Sequence, residues 1–104
     1  MYRTAADVHA EYQGADMIAR KAAALFDAGE PCGAEANMAK HLSGEAAWAC
    51  GEACFTTHGG FAFAREYDVE RKWRESRLSR NAPVAPNMIM NFIGQHVLGL
   101  PRSY

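Results

Sequence analysis

The stretch His58-Gly59-Gly60-Phe61-Ala62-Phe63-Ala64-Arg65-Glu66-Tyr67-Asp68-Val69-Glu70-Arg71 decides how this 104-residue chain is read. It follows one long helical pattern and precedes another. Two adjacent glycines let the backbone take positive φ and let another molecule come close where a Cβ would stand. The aromatics Phe61, Phe63 and Tyr67 follow at once, and then the charges of a new helix begin.

Upstream, the residues from Ala5 to Ala28 place Val8, Tyr12, Ala15, Ala19, Ala22 and Phe26 at steps of four and three, with Ile18 and Leu25 widening the stripe. That spacing predicts an amphipathic helix, closed by Gly29 and Pro31. A second helix is predicted from Gly33 or Ala34 to about Thr57, with Met38, Leu42, Ala46, Ala49 and Ala53 on one stripe and Trp48 and Phe55 elsewhere. Its many small residues permit a close helix–helix approach. Gly44 and Gly51 each cost about 1 kcal/mol of helix propensity relative to alanine, so a neighbour must need the space.

Downstream, Val69 to about Asn81 reads as a short charged helix anchored by Val69 and Trp73, with Leu78 as a third anchor and Glu70–Arg74 as a favourably oriented i,i+4 pair. Pro83 and Pro86 break it. A last helix, opening at Pro86 and running to Leu98, offers Ile89, Phe92, Ile93 and Val97 before Gly99 and Pro101 close it. Four helices, short connections and no strand pattern predict an all-α, antiparallel four-helix-bundle-like fold in a single domain over 1–104.

Eleven basic residues against twelve acidic ones give a net charge of −1, which makes no overall electrostatic case for nucleic acid or an anionic membrane. The balance is uneven: residues 1–58 carry a net −4 and 59–104 a net +3, a polarity that favours contact between the halves or between copies. No apolar run approaches bilayer length, and the N-terminus carries no signal-peptide pattern, so a cytoplasmic location is expected. Three cysteines, two of them four apart on a helix, read as reduced thiols rather than a disulfide framework.

Three blocks in register along the chain resemble a known family. The run Glu35-Ala36-Asn37-Met38-Ala39-Lys40, then His58-Gly59-Gly60, then Glu66-Tyr67-x-Val69-Glu70-Arg71-x-x-Arg74-Glu75 is similar to the C-terminal helical domain of the acyl-CoA dehydrogenases. The resemblance covers roughly residues 5–82. It implies FAD as cofactor, an acyl-CoA substrate in the complete enzyme, and a homo-oligomer joined through this domain. It further implies that the segment Thr56, His58, Gly59, Gly60 and Phe61 lies along the pyrophosphate and adenosine end of an FAD held mainly by a neighbouring subunit. The family reaction passes an α-proton to a carboxylate base and a β-hydride to FAD.

This sequence departs from the family pattern at several places. Thr56 stands where a glutamine is usual, Phe61 and Ala62 replace an asparagine or tyrosine and a third glycine, and Arg74-Glu75 stands for an Arg-Asp pair expected to be structural. Registered from Arg74, the turn that carries the catalytic glutamate in many members falls on Ala82-Pro83-Val84-Ala85, which has no ionisable group to remove a proton. No catalytic residue is therefore assigned. The chain is expected to be the last third of an enzyme, inactive alone. The alternative is a free-standing helical oligomerisation module no longer tied to flavin.

Two further constellations carry weaker chemistry. Cys50, Cys54 and His58 share a helix face, a soft-metal spacing in principle, but structural zinc wants four ligands and His41 is over two turns away. Small buried thiols are the expected state, and no metal site is assigned. The basic run from Arg71 to Arg80 is interleaved by Glu75 and has no aromatic platform, so a solvated helix surface is expected, and His96 is expected to be a packing or interface residue.

Overall fold

The computed structural model describes residues 2–102. The single-domain expectation over 1–104 reaches Met1, Ser103 and Tyr104, which lie outside them. Four α-helices follow in order: α1 (Tyr2–Asp27), α2 (Gly33–His58), α3 (Val69–Asn81) and α4 (Pro86–Phe92). Two short 3-10 turns, Gly59–Phe63 and Arg65–Tyr67, join α2 to α3, and a π-wound turn, Ile93–Val97, extends α4. No strand occurs among the described residues, so the all-α expectation holds.

The second helix is the spine. α1, α3 and α4 each pack on it, and the α1–α2 and α2–α3 contacts are the most extensive. The pairing is antiparallel on both sides: Lys21 Nζ reaches Glu35 Oε1 at 3.1 Å across the first turn, while Gly44 faces Arg80 and Gly51 faces Trp73 on the other side. The tight approach to α3 explains the two helix glycines. A Cβ on Gly51 would stand 2.9 Å from Trp73 Cδ1, and one on Gly44 3.3 Å from the Arg80 Cα.

Trp48 and Phe55, which fall off the Ala-rich stripe, are the aromatic residues of α2 that meet α3. The Trp48 and Trp73 rings lie 5.0 Å apart, and Phe55 meets Trp73 edge-on at 5.3 Å. The Trp73 indole N–H donates to Glu52 Oε1 at 2.7 Å. The basic face of α3 is not simply solvated. Arg80 grips Glu45 with two hydrogen bonds of 2.7 and 3.1 Å, Arg77 sits 4.9 Å above the Trp48 ring, and Lys40 Nζ donates to the Ser79 carbonyl. Guanidinium planes on indole faces combine cation–π attraction with covered apolar surface. Leu78, expected as a third anchor, stands 69% exposed, because Trp73, Ser76 and Arg80 form the contact face instead.

On α1 the expected stripe divides. Ala15 is buried and Val8, Ile18, Ala19, Ala22 and Leu25 are half-buried against α2, while Tyr12 and Phe26 are 55% and 75% exposed. The buried apolar side chains among the described residues are Ala15, Ala39, Ala46, Ala62, Val69 and Ile89, of which only Ile89 is large. Its helix starts at Pro86, as the proline spacing predicts, but the final stretch winds wider: Leu98 N–H bonds the Ile93 carbonyl and Leu100 N–H the Gly94 carbonyl. His96 stacks on Phe92, ring centroids 4.7 Å apart.

The shape is extended for its length. The radius of gyration is 16.2 Å, against about 13 Å for a compact 100-residue domain. The accessible surface is 7553 Å², about 1,800 Å² more than the mass scaling for compact monomers gives. α1 and α3 flank α2 without extensive contact with each other, so part of the α2 surface lies open between them.

Two outcomes follow from these contacts. Gly51→Ala gains about 1 kcal/mol of propensity but meets Trp73, and overpacking costs of about 1–3 kcal/mol make it net destabilising. Gly14→Ala, with nothing near its Cβ, stabilises by up to about 1 kcal/mol. Urea unfolding of the pair, followed by circular dichroism, reads the opposite signs. The second outcome concerns pH. The hydrogen bond from Lys21, helped by the Glu35 backbone amide, holds the Glu35 carboxyl below its ordinary range. Its contribution is present above that range and is lost as pH falls through the lower folded value. Melting temperatures taken between about pH 6 and pH 3 fall for the parent chain and fall less for Lys21→Met.

Candidate functional site

The bend after α2 is built from a cap, a peg and a rim. Gly59 takes φ 58° and donates its N–H to the Phe55 carbonyl, ending the helix. A residue with a side chain is strained in that backbone region, so the glycine is required there. Ala62 is fully buried and pegs the first 3-10 turn, and Ala64 is extended between the two turns. Asp68 adopts a left-handed φ of 59° just before α3. Its Oδ1 accepts a 3.0 Å hydrogen bond from Arg71 Nε, which holds the Asp68 carboxyl below the usual carboxylate range and raises the Arg71 guanidinium.

All five residues expected to face a cofactor are exposed. Thr56 Oγ1 donates back to the Glu52 carbonyl at 3.0 Å. His58 Nδ1 lies 2.9 Å from the Cys54 carbonyl. A carbonyl only accepts, so the proton belongs on Nδ1, and Nε2 of the neutral ring is an acceptor. Phe61 is 65% exposed. A Cβ on Gly59 or Gly60 would meet nothing within 4 Å, so that face of the bend is open.

The structure gathers four of the five into one rim and leaves Thr56 on the preceding turn of α2. The rim includes a residue the sequence reading had not placed at the site. The Tyr67 ring lies 6.1 Å from His58 and 5.4 Å from Phe61, so three rings border the paired glycines. Its signal was present in the quoted stretch, but the second 3-10 turn that folds Tyr67 back is not a sequence period. Phe63 turns the other way and meets Phe55 edge-on at 5.1 Å.

Two grooves flank the rim. One, about 580 Å³, is lined by Phe63, Arg65, Asp68, Glu70, Arg71 and Arg74 with Ala64. Its arginines are largely neutralised locally: Arg71 binds Asp68 and Glu75, and Arg74 binds Glu70, each at 3.0 Å. The adjacent Arg74 and Glu75 thus pair with separate partners one turn away, since neighbours in a helix do not face each other. The other groove, about 440 Å³, holds Cys50, Cys54 and His58 beside Lys72 and Trp73. The expectation of buried thiols fails: Cys50 and Cys54 are exposed. Cys50 lies on the α2 surface left open between α1 and α3, bordering this groove and another with Tyr12 and Ala19 of α1.

Comparison with known proteins agrees with the residue pattern. The family model described as "Acyl-CoA dehydrogenase, C-terminal domain" matches residues 1–98. The acyl-CoA dehydrogenase FadE12 of Mycobacterium tuberculosis (strain ATCC 25618 / H37Rv) is 40% identical over 101 residues, covering 95% of this chain and 26% of that protein. The mitochondrial short/branched chain specific acyl-CoA dehydrogenase of Rattus norvegicus is 29% identical over 92 residues, 88% of this chain and 21% of that protein. The caffeyl-CoA reductase-Etf complex subunit CarC of Acetobacterium woodii is 34% identical over 76 residues, 70% of this chain and 19% of that protein. No solved structure matches. The chain spans about a quarter of the length of the first of these relatives. Ordered motifs, helical architecture and a match over nearly the whole sequence lead to one assignment: this chain belongs to the acyl-CoA dehydrogenase family and corresponds to its C-terminal domain.

Proposed function

We propose that this chain, as one helical domain, supplies the FAD-contacting bend and part of the oligomer core of a flavin-dependent acyl-CoA dehydrogenase acting on acyl-CoA thioesters. The observation that carries the reading is the open Gly59-Gly60 bend with His58, Phe61 and Tyr67 around it. The residues fit a dinucleotide in part. A diphosphate can approach the backbone where no Cβ intrudes, and exposed rings offer a planar base a stacking surface. The Gly59 amide, however, is spent on capping α2. Binding here therefore rests on access and rim contacts more than on that donor.

When bound, FAD supplies the hydride-accepting chemistry of the dehydrogenation. The residues of this chain orient and cover the cofactor's edge. Ala82-Pro83-Val84-Ala85 offers no base, so proton removal falls to a residue outside this chain, and the chain alone is inactive. Three free cysteines and the absence of any helix long and apolar enough to cross a membrane, among the described residues, accord with a cytoplasmic place.

A second reading, a helical assembly module without flavin, draws on the excess surface. About 1,800 Å² beyond a compact monomer is roughly twice the ~800 Å² that each partner gives to a standard protein interface. In FAD titrations followed by flavin fluorescence, the parent chain quenches the signal. Gly60→Leu keeps its helicity and melting temperature yet binds about tenfold more weakly, a loss of about 1.4 kcal/mol. Equal binding by the two, or none by either, removes the bend from the cofactor site. In sedimentation velocity, self-association without FAD binding selects the module, whereas a strict monomer removes the oligomer role.

A further inference from the structure

The groove between α2 and α3 presents a feature the flavin reading leaves unused. Cys50 and Cys54 are both exposed and unbridged, and they border it together with Lys72 and Trp73. They are four residues apart within the unbroken α2, so one helix turn fixes their Cβ atoms about 5–6 Å apart on a single face. A disulfide needs Cβ atoms about 3.5–4.5 Å apart, so the pair cannot close directly without unwinding the helix. A metal ion between the two sulfurs holds them about 4.6 Å apart, twice a bond of about 2.3 Å, a separation that two Sγ atoms leaning toward each other from those Cβ positions reach without unwinding the helix.

The ligand count selects the ion. Among the described residues no group of three or more His, Cys, Asp or Glu is placed to hold a metal. His58, one turn further on, borders the same groove but is not gathered with the two cysteines into such a group. Two thiolates are therefore the whole donor set. Zinc in a structural site takes four ligands, whereas thiolates favour Cu(I) among the soft ions. We propose that Cys50 and Cys54 form a two-thiolate site for a soft monovalent d10 cation of the Cu(I) type. Both thiols give up their protons to solvent, two sulfur–metal bonds form, and the metal keeps its oxidation state. The resulting complex carries one negative charge, and the Lys72 ammonium in the same groove opposes it.

The test is an anaerobic titration of the full chain with Cu(I), kept reduced by ascorbate, against bathocuproine disulfonate as the coloured competitor. The parent chain withdraws one Cu(I) per molecule from the competitor. Cys50→Ser and Cys54→Ser each abolish that complex while far-UV circular dichroism stays unchanged, and Cys32→Ser retains it. Equimolar Zn(II) does not displace the copper. Retention by Cys54→Ser, loss in Cys32→Ser, or displacement by Zn(II) would overturn the site.

Discussion

The architecture depends on how closely α3 can lie against α2. Gly51 removes the atom that would hold the helices apart, Trp73 fills the opening, and its indole N–H is tied to Glu52 on the same face. The bend after residue 58 and α3 itself are placed by that contact, while α4 packs on α2 directly. The bend must span from the end of α2 to the start of an antiparallel α3 seated almost against its backbone, which leaves room for two short 3-10 turns and nothing longer. The helix propensity sacrificed at the glycine is offset by aromatic packing and by the Arg80–Glu45 clasp at the far end of α3.

The same arrangement explains why so little of this chain is buried. A spine with partners on its flanks has only narrow contact lines; outside the Trp48, Phe55 and Trp73 cluster, its buried positions on α1 and α2 are alanine and glycine. Larger apolar residues are left at the margins: Tyr12 and Phe26 on α1, Leu78 on α3, Met88 on α4. Each is ordinary as a single exposed side chain, but together they leave apolar surface on α1, α3 and α4.

Much of the fold was legible because glycine and proline punctuate it. Gly29 with Pro31, the Gly59-Gly60 pair, and Pro83 with Pro86 mark breaks that lie within a residue or two of the observed ends. Which face of a helix is covered was less legible. In α2, alanines occur on several faces, so the 3.6-residue period does not tell which face meets which neighbour, and Trp48 and Phe55 proved to be the α3 contact. The exposure of Cys50 depends on a gap between α1 and α3, a tertiary fact with no local signature. At the candidate site, the glycines and Phe61 were visible as a motif. The part played by Tyr67 was not, because it depends on a left-handed Asp68 and a 3-10 turn that no hydrophobic period encodes.

Ala62 has a consequence of its own. With no surface left exposed, it anchors the first turn of the connector to the helices beneath, while the side chains around it face outward. Neighbouring side chains can then be exchanged without unseating the helix that follows. A lineage can thereby retailor the outer edge of this connector for a new companion molecule while the scaffold beneath keeps its form.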